Sequence, residues 1–459
     1  MSTGRKIDIL KATERSDNAN ATSFIDQFGE DLRFVITWRK WVAWTGRKWC
    51  VETGEDRAFK MARKYAERIW DQVREVVSDE TVKDDVKKEI INFARQTNDK
   101  RRIDNFVSLA QRDERVTIHH RDLDANPYLL NVQNGTLDLH SGNVRSHQRE
   151  DLQTQMASVN YDQSVACPLW HQTLSLIFVN EALIRYVQVL FGYALSGTTD
   201  EHILPICYGS GCNGKSTIWN LFMEMLGDYA TLANQDLLMP DKHKSHPTEV
   251  ASLFGKRFVA ISEPEQGRSL NESRTKELTG DRVVTARRMR EDFWEFTPSH
   301  TFWMSTNHMP KISGDDDGIW RRIKLIPFTV DLREVTTVDP MFHTKLEAET
   351  SGILNWALEG WKLYQQHGLK HFEPEQVKMA TTAYRGDEDE FGNFLRETYV
   401  ENAAFIIGAT EAYEAYKKFG GKLTQTAFGK QMTKRFNKVR HTTGKYKSKN
   451  VYEGIGLLD

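Results

Sequence analysis

Hydrophobic and polar positions along the chain change period several times, and each change marks a new element. After a polar stretch over residues 1–20, residues 34–49 alternate apolar and polar positions around Phe34, Trp38, Trp41, Trp44 and Trp49 and break at Thr45-Gly46. That pattern predicts a β-hairpin, with the tryptophans as the packed face of a small sheet; the rival reading is an aromatic, basic surface that stacks on nucleic acid. Residues 57–112 carry Glu and Lys or Arg at exposed helical spacings, as a scaffold or an oligomer surface would. From Asn126-Pro127 to about 165, the tight-turn dipeptides Asn134-Gly135 and Ser141-Gly142 separate short apolar runs and predict a small β element. Helices are expected from 168 to 198. Ile203–Tyr208 then reads as a buried strand, followed by Ile218, Phe222 and Met225 at helical spacing. Pro205 resists this reading, because a residue without an N–H belongs at a strand's start or edge.

Further along, 256–265 is an apolar strand ending in carboxylates, and 301–307 a strand ending in the amide Asn307. Residues 336–385 are helical, with Leu354, Leu358 and Trp361 on one face, and the acidic patch Gly386–Glu390 reads as a linker. A helix over Glu411–Phe419 precedes a second one, where Thr424 is the expected N-cap and Phe428, Met432 and Phe436 recur every four residues. A hairpin turning near Thr443-Gly444 comes after it.

The loop between the 203–208 strand and its helix carries the sharpest chemistry. Gly209, Gly211, Asn213, Gly214, Lys215, Ser216 and Thr217 fit G-x-x-x-x-G-K-[ST], a phosphate-binding loop. Glycines turn successive N–H groups onto phosphate oxygens, Lys215 reaches the β/γ-phosphates, and the Ser216 hydroxyl completes a Mg²⁺ shell. The helix after the loop points its positive end at the same anion. ATP with Mg²⁺ is the implied ligand pair; an accidental glycine turn is the alternative.

That loop sets the roles of the strands after it. The 256–265 strand is expected beside the loop's own strand, offering Glu263, at its tip, or Glu265 to Mg²⁺ and the attacking water. Asn307 would hold that water near the γ-phosphate; a plain turn asparagine is the alternative. Arg321 and Arg322 head another strand after the acidic run at Asp315, which reads as a solvated loop. An arginine supplied to a neighbouring subunit's nucleotide is worth about 10³ to 10⁵ in rate. Asp122 with Asp124, His119-His120 and Cys167 with His171 lack the partners a metal site needs and read as structural.

Composition changes this picture little. The 459 residues are 39% hydrophobic and 27% charged with a net charge of −2, an ordinary globular balance with room for two to four domains. Cys50, Cys167, Cys207 and Cys212 form no C-x-x-C pair, which suits free thiols in a reducing cytoplasm. No signal segment or membrane-length apolar run stands out, so a soluble, cytoplasmic protein is expected. Local charge is more telling. Between Lys417 and Lys449 there are eleven Lys or Arg and no Asp or Glu, on what reads as a helix-turn-helix with a wing. Lys430, Lys434, Arg435, Lys445 and Lys447 are the candidate DNA contacts. If half of the eleven touch phosphate, the log–log salt slope is roughly −4 to −5.

Taken in order, the phosphate loop, F-V-A-I-S-E-P-E, K-E-L-T-G-D, S-T-N-H and D-D-G-I-W-R-R-I resemble the superfamily-3 helicases. More narrowly they resemble the C-terminal part of phage- and plasmid-type primase–helicases related to the poxvirus primase–helicase. Trp38 to Trp49, the Asn134 turn and Cys167-Pro168 are similar to that family's helicase-associated region. The resemblance implies an α/β, AAA+-like ATPase core (166–335) behind a mostly helical region with a small β element (1–165). A helical extension (336–385) and a winged-helix domain (386–459) would complete the chain. It implies a hexameric ring on single-stranded and duplex DNA, ATP between subunits, and 3′ to 5′ translocation in replication of a phage or mobile element in the cytoplasm of a bacterial host cell. A primase or polymerase on a separate polypeptide would partner it. Lys215 and Ser216 become phosphate and metal contacts, Glu263 the acidic tip, Asn307 the sensor, Arg322 the preferred trans arginine and Arg321 its reserve. A pore hairpin is expected near Arg287–Phe293, with Arg288 and Arg290 gripping DNA and Glu291 and Asp292 repelling it. The competing function is an ATP-regulated origin-binding initiator with little processive unwinding.

Overall fold

In the computed structural model, residues 7–239, 247–261, 263, 266–312, 316–335 and 339–458 are described. They form two compact units, one from Met1–Pro310 with Arg321–Val377 and the other from Lys311–Trp320 with Lys378–Asp459.

The first unit begins with α1 (Asp17–Phe28), capped by the Ser16 hydroxyl, which accepts from the Ala19 N–H at 3.2 Å. Strands β1 (Leu32–Val35), β2 (Lys40–Trp44) and β3 (Trp49–Cys50) come next, then helices α2 (Gly54–Val77), α3 (Asp84–Thr97) and α4 (Lys100–Ala110), and β4 (Thr117–Ile118). The sheet runs β3-β2-β1-β4, with β4 parallel to β1. The expected single hairpin is therefore a three-stranded meander. Trp38 falls out of the two-residue period, and the chain turns at 36–39 through Arg39, whose φ is +52°. Its tryptophans are buried, as a packed face requires. Helices α2 to α4 close over the meander through Tyr65, Ile69 and Phe106, which meet Phe24 of α1.

A small antiparallel sheet is next, β5 (Leu129–Val132), β6 (Gly135–Asp138) and β7 (Val144–Arg145), turning where Asn134-Gly135 and Ser141-Gly142 predict. Asp122 and Asp124 serve local structure: Asp122 accepts from the His119 N–H and Asp124 from the Thr154 N–H, each at 2.7 Å.

Helices α5 (Pro168–Phe178) and α6 (Glu181–Leu195) lead into β8 (Leu204–Tyr208), α7 (Lys215–Leu226), β9 (Ala230–Ala233), α8 (Pro247–Ala251) and β10 (Phe258–Ile261). After them come α9 (Glu272–Gly280), β11 (Val284–Ala286), β12 (Trp294–Phe296), β13 (Thr301–Thr306), α10 (Asp317–Trp320), which belongs to the second unit, and β14 (Ile323–Pro327). Five of these strands make a parallel sheet ordered β14-β8-β13-β10-β9. One expectation is corrected here: the acid-tipped strand β10 does not lie beside β8, because β13 stands between them. Pro205 also finds its place. The Leu204 N–H donates towards β14, to the Arg322 carbonyl at 2.7 Å, so the side of Pro205 that lacks an N–H faces β13. Pairing with β13 starts only at Ile206.

The first unit continues through α11 (Leu332–Val335), α12 (Phe342–Glu347), α13 (Thr350–His367) and α14 (Leu369–Phe372) to the start of α15 (Glu375–Glu388), whose residues from Lys378 on belong to the second unit. Phe191 of α6 stacks on Trp303 of β13 at 4.9 Å, and α13 packs against α6 at glycine range. A Cβ on Gly192 would lie 2.1 Å from the Trp361 nitrogen, and one on Gly360 would lie 2.0 Å from the Gln188 carbonyl oxygen, so both positions exclude a side chain.

The second unit holds α16 (Glu390–Thr398), β15 (Tyr399–Gly408), α17 (Ala409–Lys418), α18 (Gln425–Arg435), β16 (Lys438–Arg440) and β17 (Asn450–Leu457). Its antiparallel sheet is ordered β15-β17-β16. The Thr424 hydroxyl caps α18, accepting from the Ala427 N–H at 3.3 Å. The acidic patch is no linker: α15 runs to Glu388 and α16 starts at Glu390. Asp389 between them caps α16 through the Gly392 N–H at 2.8 Å and pairs with Arg435 at 2.8 Å. Among the described residues, no helix is long and apolar enough to cross a membrane.

Candidate functional site

The carboxyl ends of β8, β13 and β10 lie side by side, and each delivers one polar residue. At the end of β8 the loop 209–214 is shaped by residues that tolerate no substitute. Gly209 has φ +155°, and a Cβ there would lie 2.1 Å from the Phe328 carbonyl oxygen. Gly214, at φ +84°, is the N-cap of α7, and its Cβ would lie 2.4 Å from Ile177 Cδ1. Cys212 takes φ +61°, a left-handed conformation that a non-glycine residue adopts at some cost. Asn213 is buried and ties the loop down, donating through Nδ2 to the Phe328 carbonyl at 3.1 Å and to Ser210. Gly211 meets open space, and Ser216, at the start of α7, is exposed.

Lys215 points back across this loop, donating to the Gly209 carbonyl at 2.6 Å and to Asn307 Oδ1 at 3.2 Å. Asn307, just past β13, donates in turn to Glu263: its backbone N–H to Oε1 at 2.7 Å and its Nδ2 to Oε2 at 3.1 Å. Lysine, amide and carboxylate thus form one connected chain. Two of the carboxylate's four acceptor sites are used, which leaves two for a water or a metal shell. Burial lowers the Lys215 pKa from its ordinary value, while the Glu263 carboxylate pushes the other way. The buried Cys207 thiol is pushed up to about 12, so it stays protonated at neutral pH. Glu265 lies outside the described residues.

The two arginines are elsewhere. In the register of β14 on β8, Ile323 pairs with Leu204 and Pro327 with Tyr208, so Arg321 and Arg322 sit at the opposite end of the sheet from the loop. Four residues of strand put them roughly 13 Å away along β14. Arg322 is 6% exposed and its Nε donates to the Thr279 hydroxyl at 3.1 Å. Arg321 is exposed in a surface pocket with His202, Lys324 and Lys370.

Strands β11 and β12 form an antiparallel hairpin whose connecting segment is 287–293. Arg290 and Met289 are exposed there, but Arg288 is not a tip residue: its guanidinium lies over the Trp38 ring at 4.2 Å and the Trp294 ring at 5.5 Å. In the second unit, Lys430, Lys434 and Lys445 line an open groove between α17, α18 and the sheet, together with Lys438 and Lys449. Lys447 is exposed close by in the segment between β16 and β17. Arg435 is engaged by Asp389 and by the Phe391 ring, 5.5 Å away, and is not in the groove. Two of the residues read as structural have a definite place in the fold. Cys167 is buried with its pKa pushed up to about 12. His120 bonds Thr37 and the Glu295 carbonyl.

Comparison with known proteins gives this arrangement a context. Residues 21–179 match the family described as D5 N terminal like, and residues 207–322 match a family of unknown function (DUF5906). A protein of Acanthamoeba polyphaga mimivirus named as a helicase is 28% identical over 323 residues, covering 65% of this chain and 33% of its own length. One named as a primase in African swine fever virus is 24% identical over 324 residues, covering 65% of this chain and 34% of its own. The chain thus spans about a third of the length of these curated relatives. The apo C-terminal region of NrS-1 superimposes with a TM-score of 0.50 at 10% identity, covering 93% of this chain and 96% of that one, which establishes a shared fold. The D5 N terminal like match over residues 21–179 and these viral relatives support a likeness to the D5-like superfamily-3 primase–helicases.

Proposed function

We propose that this chain is the motor part of a replication helicase that hydrolyses ATP with Mg²⁺ and moves on DNA. The observation that carries the reading is the Lys215–Asn307–Glu263 chain, three polar residues from three adjacent strand ends converging beside a glycine-shaped loop. The loop is a phosphate-binding loop in this reading, and the residues fit the ligand. Glycines at 209 and 214 hold a backbone cradle that a Cβ would fill, Gly211 is open, and Ser216 is free of the core. Loop N–H groups and the amino end of α7 would hold the phosphates, while Ser216 and Glu263 would hold Mg²⁺. The metal, when bound, neutralises charge shared by the β- and γ-phosphates. Lys215 would exchange its bonds to Gly209 and Asn307 for phosphate oxygens, freeing the Asn307 amide to orient water. Glu263, with acceptor sites open, would take that water's proton.

Arg321 and Arg322 lie too far along the sheet to serve their own loop, which supports an arginine given to a neighbouring subunit in a ring, hexameric as in the wider family. Exposure favours Arg321 for that role, reversing the order read from the sequence, because Arg322 is buried and bonded to Thr279. The second unit is read as a winged helix whose lysine-lined groove holds duplex DNA. That groove also favours the second reading, an origin-binding initiator with little processive unwinding.

The test is Lys215→Ala in an ATPase assay and a forked-substrate unwinding assay. Loss of both is expected; unwinding that survives would remove the motor reading. Strand displacement by the unaltered chain separates helicase from initiator. Mixing Arg321→Ala with Lys215→Ala protein should restore some hydrolysis through mixed interfaces, and no recovery would count against the shared site.

A further inference from the structure

The amino-terminal region and the β11–β12 hairpin are distant in sequence, yet the meander grips the hairpin at several points. Trp38, in the turn between β1 and β2, packs edge-on against Trp294 at 5.6 Å and Phe254 at 5.4 Å. The Arg288 guanidinium lies over both indoles, and its Nη1 is buried with no hydrogen-bond partner, 3.9 Å from Glu291. An atom so enclosed cannot reach a phosphate. Lys40 of β2 pairs with Glu291 at 2.6 Å, which turns the acid expected to repel DNA inwards, and Arg39 lies 3.9 Å from Asp292. His120 adds a polar latch. Its Nε2 bonds the Glu295 carbonyl at 2.7 Å, so that nitrogen carries the proton, and Nδ1 can accept from the Thr37 hydroxyl at 3.0 Å. Beyond these contacts the hairpin is bare: Met289 is 73% exposed, Phe293 is 59% exposed, and Arg290 has no ion pair among the described residues.

We propose that the amino-terminal meander is a bracket fixing the β11–β12 hairpin, with Arg288 a positioning residue inside it and Arg290 the cation offered to a nucleic-acid backbone. The Arg290 half rests on the DNA-motor reading above; the bracket half does not. Cation–aromatic stacking, a half-buried ion pair and the histidine latch all cross to the hairpin, so it cannot swing without dragging the meander along.

Two measurements on the whole chain separate the roles: hydrogen exchange at the paired amides 284–286 and 294–296, and the salt dependence of binding to an oligothymidylate single strand. Arg288→Ala should speed exchange there by about tenfold or more and weaken binding at every salt concentration with an unchanged log–log slope. Arg290→Ala should leave exchange unchanged and make the slope shallower by about one. The double variant Lys40→Ala with His120→Ala removes the ion pair and the latch but keeps Trp38, Phe254 and Trp294; with an unchanged urea midpoint as the control for misfolding, it should reproduce the Arg288→Ala exchange result. Unchanged exchange in the double variant overturns the bracket, and a slope loss of about one in Arg288→Ala without faster exchange overturns the positioning role. If no form of the chain binds the strand, the motor reading and the Arg290 assignment fall, and exchange alone still decides the bracket.

Discussion

The end of the parallel sheet and the groove of the second unit are both polar surfaces, but they are built in opposite ways. At the sheet end, three side chains are set by strand register and by one another, and a buried lysine faces an amide and a carboxylate. In the groove, lysines stand exposed on α18 and between β16 and β17, held by contacts at the surface such as Lys445 with Glu411 at 3.7 Å. Position matters in the first, where one displaced atom removes the arrangement. Number matters in the second, where each charge adds a similar increment. The sheet end should therefore fail all at once and the groove by degrees.

The largest effect expected is at the sheet end. Lys215→Ala or Asn307→Ala should lower ATP turnover by on the order of 10²- to 10³-fold, the usual loss when a charge-stabilising donor is removed. Steady-state ATPase assays check it, and a loss under about tenfold would show that this chain of contacts is not the catalytic one. The groove comes next. Replacing Lys430, Lys434, Lys445 and Lys447 together with Ala should make the salt slope of duplex binding shallower by about three to four, in single steps of about one. A collapse on the first substitution would mean that the groove, too, depends on fixed geometry.

A third expectation concerns acid stability of the sheet itself. His300, just before β13, is buried, neither ring nitrogen has a hydrogen-bond partner, and burial lowers its pKa to about 3. The folded pKa is below the unfolded one of about 6.5, so the unfolded chain binds the extra proton. Stability is then full above about pH 6.5 and falls by up to about 1.4 kcal/mol per pH unit on the way down towards pH 3. Urea unfolding at pH 7.5 and pH 5.5 (chosen to be about a unit either side of 6.5) should show the loss, and His300→Phe should flatten it. The smallest effect is Thr424→Ala, which removes the cap of α18 and should cost about 1 kcal/mol in unfolding of the second unit.

Legibility in the sequence divides along the same line. The phosphate-loop pattern is dense and local, so its strand, turn and helix could be read directly, along with the residues that end β10 and β13. Strand order was not legible, because nothing in 256–261 says that 301–306 will come between it and β8. Strand β15 escaped for a different reason. It is exposed through its middle and bulges between Glu401 and Ile406, so it lacks the alternation that betrays a half-buried strand. The acidic patch misled because its charges mask the apolar residues just beyond it. Phe391, Phe394 and Leu395 bury one face of α16 while Arg435 answers Asp389. Burial likewise separates Arg321 from Arg322, and two adjacent identical letters carry no trace of it.

Cys212 lends itself to a practical use. Of the four thiols, Cys167 and Cys207 are buried and Cys50 is partly covered, whereas Cys212 is exposed in the turn that would wrap the phosphates. A maleimide should label that sulfur first, and nucleotide should slow the labelling. Slower labelling would make Cys212 an occupancy gauge, readable by mass spectrometry without adding a foreign probe.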